Sequence, residues 1–175
     1  MKTETVADNL KLLQKGSGKL YLLCIVVGTL TGVTVSLYRL VLNHINHFRE
    51  LLIKNSLTEG THTIFIIWLS FILIGLLVDY ISKKYPKISG SGIPQVKGIL
   101  LRKLDYTKWF QELIAKFITG LMGIGAGLSL GREGPSVQLG SYIGFGITKI
   151  FKRDSIEKKY LVTSGSSAGL AGAFG

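Results

Sequence analysis

The stretch Gly131-Arg132-Glu133-Gly134-Pro135 sets an arginine and a glutamate between two apolar runs, Phe117 to Leu130 and Gly134 to Thr148, neither of which holds a charge. Ionisable groups at membrane depth are costly, and they usually face a partner, a cavity or a transport path. Pro135 suits the first position of a helix, where its missing N–H loses no bond. Glu133 then sits just ahead of that helix, near free backbone N–H groups and the positive dipole end. A carboxylate held there occupies a place that a small anion can also occupy.

The composition agrees with a membrane setting. The chain has 175 residues, 47% of them hydrophobic, with 22 glycines and a mean hydropathy of +0.39, which indicates a polytopic helical membrane protein. The formal net charge of +11 invites nucleic acid as a partner, so its distribution decides. It amounts to +2 over residues 1–19, +1 over 39–62, +5 over 79–116 and +3 over 149–159, while Arg132 and Glu133 cancel. The charge therefore lies between apolar runs and forms no basic face interleaved with aromatics, so no nucleic-acid partner is expected. Cys24 is the sole cysteine, which leaves no disulfide framework. The first apolar run is too long for a cleavable signal peptide and lacks its flank.

Residues Glu4 to Lys15 read as an amphipathic helix on the cytoplasmic membrane surface, within an N-terminal segment 1–18 that precedes a transmembrane domain over 19–175. Leu20 to Tyr38 is 19 residues without a charge, close to the ~20 that cross a bilayer. Gly28 and Gly32 form a small-xxx-small pair that admits a neighbouring helix. The polar stretch from Arg39 to His62 extends that helix to a turn near Glu59-Gly60. Thr63 to Val78, with Tyr80 and Ile81, makes a second crossing. The +5 segment after it, against +1 before it, places residues 1–19 and 79–116 in the cytoplasm.

The pattern then changes. Gly90-Ser91-Gly92-Ile93-Pro94 introduces a short helix, with Ser91 near its N-cap and Pro94 in its first turn. Three apolar pieces of 14, 15 and 16 residues follow. Gly123/Gly127/Gly131, Gly140/Gly144 and Gly165/Gly169 are spaced four apart within or beside them. Short, glycine-interrupted segments in membranes indicate broken or tightly packed helices around a central site.

The two loops Gly90-Ser91-Gly92-Ile93-Pro94 and Gly131-Arg132-Glu133-Gly134-Pro135, with their continuations Gln95-Val96-Lys97-Gly98 and Ser136-Val137-Gln138-Leu139-Gly140, resemble the CLC family of chloride channels and chloride/proton antiporters. The small-residue run Ser164 to Phe174 is similar as well. The resemblance implies an all-α integral membrane fold with tilted, broken and re-entrant helices, located in the cell membrane with a cytoplasmic N-terminus. It implies a Ser91 hydroxyl offered to a partly dehydrated chloride, and Glu133 as a gating carboxylate that competes with chloride and moves away when protonated. Backbone N–H groups near Gly92, Ile93 and Gly134 complete the cradle, chloride is the ligand, and no cofactor is implied. A homodimer with one pore per subunit is the family pattern. The family is built from two inverted repeats, and this chain stops at Gly175 within the first. The second repeat is missing, so the chain is expected to be partial, and the contrasting expectation is a non-conducting fragment or assembly module that needs a chain supplying the second repeat.

The physics of the loops stands beside the name. A permeating anion must be held firmly enough to enter and loosely enough to leave, and helix N-termini and hydroxyls supply partial charges of that strength. Desolvation and a nearby anion both disfavour an ionised Glu133, which couples proton binding to anion occupancy. Arg132 lies beside the ion path, and it is expected to pair structurally, with Glu133 as its candidate partner, rather than to steer anions.

Competing signals have plainer readings. Gly165-Ser166-Ser167-Ala168-Gly169 matches the G-x-S-x-G pattern of a hydrolase elbow, but that motif needs a strand-to-helix turn, and the composition predicts a packed helix with no enzymatic role. His44, His47 and His62 read as loop histidines rather than a metal site. The glycines from Gly120 to Gly131 lack the Gly-Lys-Ser/Thr of a phosphate loop.

Overall fold

The computed structural model describes residues 17–59 and 61–175, and all of their regular structure is helical apart from turns and loops. The expected amphipathic helix from Glu4 to Lys15 lies outside the described residues. Helix α1 runs over Ser17–Glu59 and α2 over Thr61–Lys84. Their apolar stretches, Gly18–Ser56 and His62–Lys84, have mean hydropathies of 2.1 and 2.5 and are long enough to cross a membrane. At 1.5 Å per residue, the 43 residues of α1 span roughly 65 Å, about twice a ~30 Å hydrocarbon core, so this helix tilts or projects beyond the membrane.

The inward face of α1 is a stripe of Leu23, Val27, Thr31, Val35, Tyr38 and Leu42, all buried, at the three- and four-residue spacing of one helical face. Its outward face, with Tyr21, Ile25, Val33 and Leu40 between 58% and 65% exposed, is equally apolar, as lipid contact allows. On α2, Phe65, Ile66 and Trp68 are likewise more than 60% exposed.

A 3-10 turn, Pro86–Ile88, leads to the eight-residue helix α3, Ile93–Leu100, which at ~12 Å is far too short to span. It turns one face inward through Val96 and Ile99. Helices α4, Trp109–Gly125, and α5, Glu133–Ile150, follow, and α6 covers Ser155–Phe174. At 17 and 18 residues, α4 and α5 reach ~25 Å, short of a full crossing. Helix α5 is the centre of the bundle, buried without interruption from Gly134 to Thr148. Asp154 caps α6, its Oδ1 accepting from the N–H groups of Ile156 and Glu157 at 2.9 and 2.8 Å.

Helices α5 and α6 pack backbone against backbone. A methyl group at Gly140 would collide with the Gly165 carbonyl, and one at Gly165 with the Gly140 carbonyl. Gly144 stands in the same way against the Leu161 carbonyl, and Gly169 against that of Ser136. The four-residue glycine spacing in these two helices therefore does what it predicts.

Elsewhere the glycines behave differently. Nothing lies within 4 Å of a methyl built at Gly28 or Gly32, so the close approach to α1 comes instead from glycines of its partners, Gly165 against Val27 and Gly172 against Val35. Gly127 and Gly131 do not continue a helical stripe from Gly123. Helix α4 ends at Gly125, and Gly127 turns the chain with a φ of +92°, a backbone conformation that favours glycine.

One helix start also moves. Helix α5 begins at Glu133, with Arg132 as its N-cap, so Glu133 is the first residue of the helix and Pro135 the third. Proline costs no bond there either, because the first four N–H groups of a helix have no partner within it. Ser91 precedes the N-cap of α3, which is Gly92, since the cap position has a φ of +89° that a serine adopts poorly.

The predicted role of Arg39 to His62 as a helical extension holds, and its arginines join α1 to the bundle. Arg39 Nη1 donates to the Gly172 carbonyl at 2.9 Å, near the end of α6. Arg49 Nη1 reaches the carbonyls of Ile124 and Gly125 at 3.2 Å each, at the end of α4. Cations suit these electronegative termini.

The glycine crossing gives a direct test. Gly165→Val should destabilise the folded chain by roughly 3 kcal/mol or more, as backbone-limited overpacking does, while Gly28→Val should change it by less than about 0.5 kcal/mol. Denaturant unfolding of both variants in one detergent checks the contrast.

Candidate functional site

The two glycine-rich loops meet. A methyl at Gly134 would collide with the carbonyl of Ser91, so the first turn of α5 lies directly against the loop that enters α3. Beside this contact opens a cleft of about 570 Å³, and its walls include Ser89, Gly90, Ser91, Ile93, Gly131, Glu133, Gly134 and Pro135. Val78 and Ser82 of α2 and Lys116, Thr119 and Gly120 of α4 close the remaining sides.

Each sequence-derived residue can now be placed. Ser91 and Ile93 line the cleft and are exposed, Ile93 at 52%. Glu133 also lines it, half-buried, with its Oε2 folded back over Gly131. Gly134 is buried at the junction of the loops. Ile93 and Gly134 belong to the first turns of α3 and α5, whose N–H groups have no partner inside the helix. Gly92 is set apart from the cleft walls. It packs on Gln138, whose side chain leaves no room for a Cβ.

Arg132 is exposed, and among the described residues it forms no ion pair with Glu133 or any other carboxylate. The expected structural pairing of Arg132 is therefore absent. Adjacent residues of a helix point in different directions, so neighbours in sequence at this start cannot face one another.

Lys116 was legible only as part of the basic stretch 79–116, yet it is a cleft residue. It is 4% exposed, and its Nζ donates to the carbonyls of Ile88 at 2.8 Å and Gly90 at 2.7 Å. A buried ammonium is stable only with such partners. It holds the entry to the first loop from behind. The available signal was a lone lysine inside the apolar run Leu113-Ile114-Ala115-Lys116-Phe117-Ile118, the pattern that marks functional membrane charges. Gln138 supports the same loop, its Nε2 donating to the Lys87 carbonyl at 2.7 Å, as does Gln95, which reaches the Ser89 carbonyl at 2.7 Å. The Gly165 to Gly169 run lies inside α6 and not at a strand-to-helix turn, so the hydrolase geometry is not formed there.

Two short helices whose N-terminal turns converge on one cleft, within a bundle carrying membrane-length apolar helices, define a membrane protein with a built polar centre. A family model described as voltage gated chloride channel matches residues 74–175, and the chain belongs to this family, the CLC family. It is 37% identical over 159 residues to the H(+)/Cl(-) exchange transporter ClcA of Salmonella arizonae, a match covering 87% of this chain and 33% of that protein. The ClcA proteins of Salmonella paratyphi B and Salmonella newport match with the same identity and coverage. The crystal structure of a slow cyanobacterial Cl-/H+ antiporter superposes with a TM-score of 0.81 at 32% identity, covering 88% of this chain and 36% of that one. The chain thus spans about a third of the length of the relatives it matches.

Lys116→Met would leave the Ile88 and Gly90 carbonyls without their donor, a loss of roughly 1–3 kcal/mol of local stability. Amide hydrogen exchange at Ser89 to Gly92 should accelerate by about ten-fold or more, and unchanged exchange there would contradict the role given to Lys116.

Proposed function

We propose that this chain contributes the first anion-binding half of a transporter that moves chloride across a membrane, coupled to protons through Glu133. The observation that supports this reading is the cleft itself, whose walls include Ser91, Ile93, Glu133 and Gly134, the last three in the first turns of α3 and α5, where backbone N–H groups lack a partner inside the helix. Amide dipoles and a hydroxyl attract an anion without the grip of a full opposing charge. An ionised Glu133 fills that space with its own negative charge. A proton on Glu133 removes the competition and frees the N–H groups for chloride. The names of the relatives, H(+)/Cl(-) exchange transporters, support the pairing of these two ions.

The remaining roles follow from position. Gly92 shapes the turn that aims Ile93, and Arg132, exposed and without a carboxylate partner among the described residues, adds a positive field at the mouth without closing it. The partners in this reading are chloride, protons and membrane lipid. The domain over 19–175 is membrane-embedded with the N-terminal side in the cytoplasm of the cell membrane.

A second reading has its own observation. The 18-residue apolar window of α2 is 0% buried, which leaves a face for lipid or for another polypeptide. With a third of a relative's length covered, a chain or segment supplying the second repeat is the partner this reading adds, and a homodimer is the alternative assembly. Without that partner the chain would be a non-conducting module.

Proteoliposome flux of the native-length product separates these outcomes. Glu133→Gln, a mimic of the protonated side chain, should keep chloride flux, abolish proton movement and flatten the pH dependence. Proton-coupled flux that survives in Glu133→Gln would overturn the gating role. Flux that appears only on addition of a second-repeat chain would favour the module.

A further inference from the structure

Glu112 stands in the first turn of α4, away from the cleft, and is 5% exposed. Its Oε2 is buried with no hydrogen-bond partner, and Lys87 Nζ lies 3.7 Å from its Oε1. The Lys87 ammonium donates instead to the carbonyl of Asp105. An ionised carboxylate withdrawn from water needs hydrogen bonds to its oxygens or a close, well-aligned cation, and Glu112 has a loose pair on one oxygen and nothing on the other.

Its surroundings combine two lysine ammoniums with a network of neutral polar side chains. The charged and titratable groups acting on Glu112 are Lys87 of the 3-10 turn, Lys108 just before α4, Tyr106 of the α3–α4 loop and Tyr142 of α5. Both tyrosines are fully buried. The hydroxyls of Tyr106 and Ser141 share a hydrogen bond at 3.2 Å, and Gln138 Nε2 reaches the Tyr142 hydroxyl at 3.3 Å, while Gln138 Oε1 is itself unpartnered. Burial pushes the Tyr106 phenol up to about 12, so it stays neutral beside Glu112.

We propose that Glu112 is a second proton-binding site of this chain, distinct from Glu133, which takes a proton from water onto its carboxyl group and holds it at neutral pH. The proton removes a buried charge that Lys87, 3.7 Å from one oxygen, compensates only in part. It also changes the hold on Lys87, whose carbonyl is fixed by Gln138 and whose turn leads directly into the Gly90 to Pro94 loop. With Glu112 neutral, the Lys87 ammonium is left to Asp105; with Glu112 ionised, it is drawn toward α4. The charge of Glu112 therefore reaches the backbone that carries Ser91.

Infrared difference spectroscopy of the full chain in lipid reads the proton directly, independent of transport, so this proposal and the transport reading fail separately. At neutral pH the wild type and Glu133→Gln should both show a protonated-carboxyl C=O band that shifts in heavy water, and Glu112→Gln should lack it. Identical neutral-pH spectra of Glu133→Gln and the Glu112→Gln/Glu133→Gln double variant would overturn the proposal. Should Glu112→Gln fail to fold, carboxyl-13C-glutamate labelling of Glu133→Gln gives the same answer. A labelled protonated-carboxyl band at neutral pH supports the site, and a spectrum of ionised carboxylates alone removes it.

Discussion

The contact between Gly134 and the Ser91 carbonyl is the constraint on which the site depends. Residues in the first turn of one helix and in the loop before another can share a cleft only if the backbones touch, and they touch only because position 134 has no side chain. The same rule operates deeper in the bundle, where Gly140, Gly144, Gly165 and Gly169 bring α5 and α6 together. Those crossings fix the axis of α5. Its fixed axis in turn fixes where Glu133 and the free N–H groups of its first turn point.

Three cations of this framework are spent on carbonyls and not on carboxylates. Arg39 binds the end of α6, Arg49 the end of α4, and Lys116 the two carbonyls behind the first loop. Each satisfies backbone acceptors that the hydrocarbon region would otherwise leave unmet. The walls of the cleft therefore combine amide dipoles, hydroxyls and the Glu133 carboxylate with one buried ammonium that already donates to two carbonyls. In the proposed reading, such a lining attracts an anion while leaving it exchangeable.

Much of the fold was legible in the sequence. Uncharged runs located α1 and α2, the polar extension beyond Tyr38 was read as helix, and the glycine spacing in α5 and α6 predicted their close crossing. The two loops were found by their glycine, proline and charge pattern, and the structure brings Ser91, Ile93, Glu133 and Gly134 to one place. Part of what was misread depended on neighbours distant in sequence, and part on local helix geometry. Gly28 and Gly32 have the right spacing, but a spacing does not say whether a helix comes to fill it. Pro135 fits the first or third position of a helix equally, so the start of α5 slipped by two residues. Lys116 looked like one more charge in a basic stretch because the carbonyls that bind it lie 26 and 28 residues earlier. The Arg132–Glu133 pair failed because adjacency along a chain is not adjacency around a helix.

The central claim is that both loops build one anion site, which Glu133 vacates when it is neutral. The most direct measurement is anomalous diffraction from crystals of Glu133→Gln grown in bromide. The account predicts a bromide peak in the cleft, within hydrogen-bonding distance of the Ser91 hydroxyl or of the Ile93 and Gly134 N–H groups. A cleft without bromide, with the ion bound elsewhere or nowhere, would contradict it.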